Sequence, residues 1–95
     1  MFLGCLTIEF SIEGNDNLKA KRRIANSLKQ KTRNAFNVAI AEDGTEDSLT
    51  SLRLRVVSVS NDSGHLLGRM QKCALMMETV CPEPMTDSQV EIDVI

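Results

Sequence analysis

Between positions 2 and 12 every second residue is apolar or glycine (Phe2, Gly4, Leu6, Ile8, Phe10, Ile12), while Thr7, Glu9 and Ser11 fall between them. Successive side chains of an extended chain point to opposite sides, so this alternation predicts a strand buried on one face. Glu13-Gly14-Asn15-Asp16-Asn17 reads as a turn, and Asp16 or Asn17 can cap a following helix. Leu18, Ile24, Ala25, Leu28 and Ala35 then recur at helical spacing, which predicts an amphipathic helix over 18–35. A second strand is expected over 36–42, with Asn37 at the helix exit because Asn tolerates left-handed backbone angles. Residues 43–51 form a loop that leads to a third strand over 52–60.

Ser60-Asn61-Asp62-Ser63 is dense in capping residues and opens a second helix. Leu66, Met70, Cys73, Ala74 and Met77 share its apolar face up to about Thr79, after which Pro82 and Pro84 end it. Leu75 and Met76 point away from that face, which makes them an expected exposed patch for self-association. Residues 89–94 alternate again and form the last strand. The order β-α-β-β-α-β predicts a ferredoxin-like α+β sandwich. It is expected to hold a four-stranded antiparallel sheet in spatial order 4-1-3-2, with two helices on one face, because each crossover is right-handed.

Composition narrows the picture. A chain of 95 residues supports one core, so residues 1–95 are expected to form a single domain. Phe2, Phe10 and Phe36 are the only aromatics, so the core must be aliphatic. Cys5, Cys73 and Cys81 make an odd count with no C-x-x-C pair, the pattern of reduced thiols rather than of a disulfide framework or a zinc site. No apolar run approaches the roughly 18 to 20 residues that span a bilayer. The start also lacks a basic segment, since Glu9 precedes any Lys or Arg. No membrane association and a cytoplasmic location are therefore expected.

The net charge of −2 conceals a strong segregation. Residues 17–37 hold seven cations and no acid, while the rest of the chain holds four cations against thirteen acids. Such asymmetry can mark an interaction face.

Leu18-Lys19-Ala20-Lys21-Arg22 followed by Leu28, then Arg33-Asn34-Ala35-Phe36-Asn37-Val38 and Ala41-Glu42, resembles the signature of the YlxP-like family of bacterial proteins of unassigned function. Ser58-Val59-Ser60-Asn61-Asp62, with His65 beyond, is similar to the end of that family's third strand. The resemblance covers nearly the whole chain and implies a ferredoxin-like fold, in proteins often encoded beside translation initiation and ribosome-assembly genes. Asn17 stands where members usually carry Ser, which leaves a good helix cap. Leu49 stands where an aromatic is usual, so no stacking role follows for the loop before the third strand.

Known activities of this fold find no match in the residues. An acylphosphatase needs a phosphate-cradling loop with Arg after the first strand, where this chain has acidic Glu13-Gly14-Asn15-Asp16-Asn17. A metal chaperone needs two Cys in one loop. An RNA-recognition motif needs exposed aromatics on its first and third strands, and 52–59 has none. A Cys or Ser nucleophile needs a nearby base, and the only histidine, His65, is expected on the surface near the start of the second helix. Cys73 is expected as a packed thiol, and Glu42 and Asp43 as solvated turn acids. Glu9, Glu91 and Asp93 should share the open sheet face with Arg53 and Arg55 in cross-strand pairs. The expectation is a non-enzymatic domain with no metal and no small-molecule cofactor.

The first helix carries the candidate site. At 100° per residue Lys19, Arg22, Arg23, Lys29 and Arg33 fall within about 120° of one another, opposite the apolar stripe, with Asn26, Gln30, Asn34 and Asn37 in the same sector. Cations and amides without an acid suit phosphates. Lys19, Lys21, Arg22 and Arg23 also crowd the positive end of the helix dipole, at a cost of a few tenths of a kcal/mol each. Lys21 and Lys31 lie nearer the apolar edges, where their stems can snorkel. The leading expectation is an RNA- or ribosome-associated accessory domain. The alternative is a regulatory domain whose basic helix meets an acidic protein and whose sheet forms a homodimer.

Overall fold

The alternating segment at the start of the chain becomes an inner strand of a four-stranded sheet. The computed structural model describes residues 1–95. Its elements are β1 (Phe2–Ser11), α1 (Leu18–Ala35), β2 (Ala39–Glu42), β3 (Ser51–Ser60), α2 (Ser63–Val80) and β4 (Met85–Val94). The spatial order is β2-β3-β1-β4 with every neighbour antiparallel, which is the ferredoxin-like arrangement anticipated. β1 pairs with β3 from Phe2↔Ser60 to Ser11↔Ser51, so both present their even-numbered side chains to the same side. Leu6, Ile8, Phe10, Leu52, Leu54 and Val56 are fully buried there, beneath Leu66, Met70, Cys73 and Met77 of α2 and Ala25 and Leu28 of α1. The helices touch each other on that face, and the opposite face of the sheet is open. No helix is long and apolar enough to cross a membrane.

Glycine at position 4 is what allows α2 to lie so close to β1. A Cβ there would sit 3.0 Å from the Cγ atoms of both Leu66 and Met70. The helix starts are capped as the sequence indicates: the Asn17 side chain accepts from the Lys19 and Ala20 N–H groups, and that of Asp62 accepts from the His65 N–H.

Several boundaries differ from expectation. β2 begins at Ala39 rather than at 36. The Phe36 N–H still donates to Thr32 O, Val38 N–H donates to Phe36 O, and Asn37 O accepts from the Ser58 hydroxyl, so these backbone groups are engaged outside the ladder. The helix leaves through Phe36 in extended geometry (φ −137°, ψ 149°), and only Gly14 and Gly44 have positive φ, so Asn37 needs no left-handed conformation. β4 starts at Met85, four residues earlier than the alternation indicates. As an edge strand it exposes Thr86, Asp87, Ser88 and Gln89, which removes any apolar rhythm. Met76 is half-buried against the core, leaving Leu75, 64% exposed, as the exposed member of the expected patch.

The largest difference lies inside α1. Ala25 and Leu28 are buried, whereas Leu18 and Ile24 are half-buried and Ala35 is exposed. The centre of the stripe is Lys21, only 1% exposed, with Thr32 beside it. Lys21 does not snorkel.

Candidate nucleic-acid interface on the helical layer

Lys21 is buried because its ammonium is fully partnered. It lies 2.9 Å from a Glu42 carboxylate oxygen and donates to the carbonyl oxygens of Thr45 and Ser48. The Thr45 hydroxyl donates to the same Glu42 oxygen at 2.7 Å and accepts from the Arg53 N–H at 2.9 Å. All three ammonium protons are used, so this group ties α1 to the β2–β3 loop and offers nothing to a ligand. Glu42 is thus no solvated turn acid. Nor is Asp43 unpaired, since its carboxylate receives Arg55 at 2.8 Å.

On the open sheet face Glu9 stands opposite Arg53, their charged groups 3.8 Å apart. Glu91 and Asp93 share that face, opposite Cys5 and Leu3. The ion pairs of the molecule are these two and Lys21–Glu42. They consume Lys21, Arg53 and Arg55. The remaining eight cations, Lys19, Arg22, Arg23, Lys29, Lys31, Arg33, Arg69 and Lys72, all lie on the two helices without an acidic partner. Of the thirteen acids only Glu78 lies within a helix. A segregation along the chain has become one between faces, with a positive helical layer backed by a largely acidic sheet and loops.

The five residues singled out on α1 do not form one uniform stripe. Lys19, Arg22 and Arg23 are exposed, Lys29 is half-buried and Arg33 is exposed. Arg33 donates to Ile40 O at 3.1 Å, so it also fastens α1 to β2. Arg22 and Lys29 flank a recess that contains Glu42 and Glu46, where their field is partly neutralised. Arg23 turns the other way with Lys31, into the groove between the helices beside Val80 and Pro82. A second cluster, His65, Arg69 and Lys72 of α2 against Phe36, lines a separate cleft toward the other end of the two helices. Glu78 faces β4 on the far side of α2 and does not enter it. Arg69 and Lys72 escape a reading of α1 alone; the visible signal was their helical spacing from His65.

The family model described as a protein of unknown function, DUF503, matches residues 3–90 and so takes in both helices and nearly the whole sheet. The chain belongs to that family. No curated protein matches it. In this DUF503 domain the two buried thiols are poor candidates for chemistry. Burial pushes Cys73 up to about 11, partly offset by the nearby Arg69 charge, and burial also raises Cys81. His65 is exposed, and no three His, Cys, Asp or Glu side chains converge as metal ligands would. What the DUF503 domain does present is charge, on one layer, without acidic partners.

Proposed function

We propose that the domain is a non-enzymatic accessory that holds the phosphate backbone of folded RNA, such as that of a ribosomal particle, against the outer surface of its helical layer. The observation that carries this reading is the set of eight cations without an acidic partner on two helices that hold a single acid. Structural need alone would interleave Glu with Lys at i,i+4 spacing, and α1 contains no acid at all. The reading agrees with the YlxP-like resemblance and its setting among translation genes, and it puts the domain in the cytoplasm. Recognition follows RNA shape rather than sequence, because no aromatic platform lies on the sheet.

The test is co-purification from native lysate with and without nuclease, followed by binding of purified rRNA fragments over a salt series. About four phosphate contacts give a log–log slope of roughly −3 to −4. Changing Lys19, Arg22 and Arg23 together to Glu abolishes binding. Retention of a nuclease-resistant acidic protein, with no RNA binding, would replace this reading by the acidic-partner alternative.

A further inference from the structure

α2 contains two glycines one turn apart, Gly64 and Gly68. A glycine in the middle of a helix or strand costs about 0.5–1 kcal/mol relative to alanine, so Gly68 in α2 and Gly4 in β1 each need a reason. Gly4 has one, the close approach of Leu66 and Met70. Gly68 has none of that kind: a Cβ there would meet nothing within 4 Å, and one on Gly64 would meet only Asp62 Oδ1 at 3.5 Å. What the two glycines do is leave a strip of helix bare. That strip lines an open cleft of about 460 Å³ together with Phe36.

The rim of the cleft carries two cations and an imidazole. His65, Arg69 and Lys72 follow one another at i, i+4 and i+7, so they stand in one row beside the bare strip. Arg69 is held in place, because its Nη1 donates to the Ser58 hydroxyl at 2.7 Å and to Val59 O at 3.2 Å, leaving its other N–H groups free. The His65 and Lys72 side chains have no partner in the protein. No acid is among the residues that line the cleft, and the Asp62 carboxylate, which would stand 3.5 Å from a Cβ on Gly64, accepts from the His65 N–H as the helix cap.

An anchored guanidinium, an unpaired ammonium and an imidazole suit a phosphate, and a bare helix surface beside an aromatic ring suits a planar base. We propose that this cleft binds one nucleotide, its phosphate toward Arg69 and Lys72 and its base over Gly68 against Phe36. The nucleotide is either free or one unit of a single strand, and the second form rests on the RNA-binding reading above. In that form the cleft is the place where an unpaired nucleotide of the bound strand is captured.

The test uses AMP, inorganic phosphate and an unstructured 8-nucleotide RNA, followed by titration of amide signals and by fluorescence anisotropy. AMP is expected to shift signals around Phe36, Gly68 and Lys72, and inorganic phosphate to do so more weakly. Gly68→Leu covers the bare strip with a better helix former, so it should melt above the wild type yet bind AMP about tenfold more weakly, within the range of lost base stacking. Lys72→Gln, which removes an exposed side chain, should weaken AMP and RNA alike and serves if Gly68→Leu misfolds. The variant with Glu at positions 19, 22 and 23 should lose folded RNA but keep AMP, which separates this site from the α1 face. Binding of AMP without the 8-mer assigns the cleft to free nucleotide, and binding of both assigns it to a strand. Unchanged affinity of Lys72→Gln or folded Gly68→Leu for AMP and RNA overturns the proposal, whatever the α1 variant does.

Discussion

The ammonium of Lys21 sits 2.9 Å from the carboxylate of Glu42, with the lysine at the centre of the α1 face that packs on the sheet. Removing one member of such a pair leaves the other charge, and here two carbonyl groups, without a partner. Lys21→Met keeps the aliphatic stem and should still destabilise the domain by roughly 3 kcal/mol. For a domain of this size that is a drop in Tm of more than about 10 °C, readable by thermal denaturation. Its amide-exchange protection should fall first in the β2–β3 loop, which the lysine ties down.

Gly4→Ala tests the close approach of α2. The added methyl would stand 3.0 Å from two side-chain carbons in a closed core, where overpacking costs about 1–3 kcal/mol. A loss of that size in urea unfolding is expected, with an unchanged m-value. A neutral result would mean that Leu66 and Met70 swing aside freely.

Lys19 is the second residue of α1, where an acid complements the helix dipole and a lysine opposes it. Lys19→Glu should therefore raise stability by a few tenths of a kcal/mol while it weakens polyanion binding and makes the salt slope shallower by about one. Opposite signs in the two measurements distinguish a binding residue from a solvated one. If stability rises and heparin or rRNA affinity stays level, the first turn of α1 takes no part in binding.

Two thiols are shielded and one is half-exposed on the open sheet face. At pH 8 a small alkylating reagent should modify Cys5 alone in the folded protein and all three cysteines in denaturant. The Cys73 thiol is raised from 9.0 to about 11 in the folded state, so the folded protein holds its proton more tightly. The stability this contributes is fully present below about pH 9 and is lost as the pH rises through about 11. Cys73→Ala should flatten that alkaline decline, as seen in denaturation midpoints between pH 8 and pH 11.

How much of this was readable beforehand depends on distance along the chain. The β1 alternation, the Asn17 and Asp62 caps and the α2 face are local patterns, and each one translates directly into structure. The burial of Lys21 was also within reach, since Ala25, Leu28 and Thr32 all lie within about 40° of it on the wheel. Its charge argued for an edge position, and only its partners at 42, 45 and 48 reverse that. The first half of β4 was hidden because an exposed edge strand keeps no apolar rhythm. As for the α1 cations, the wheel groups them by angle alone and cannot say that Arg22 and Lys29 look toward Glu42 and Glu46 while Arg23 looks toward α2. The cleft joins Phe36 to residues 64–72, a contact that arises only when the antiparallel helices are laid side by side.

A cationic layer on one side and an acidic sheet on the other also govern how copies of the domain meet. Front and back attract each other, and a head-to-tail contact of that kind continues from copy to copy unless its rotation closes a ring. Solutions at very low ionic strength should therefore turn cloudy even though the net charge is only −2, and clear again at about 0.1 M salt, where the screening length falls to about 10 Å. Salting-in of this sort makes the ionic strength of the storage buffer a variable in its own right, and polyanions that cover the helices should dissolve the same precipitate.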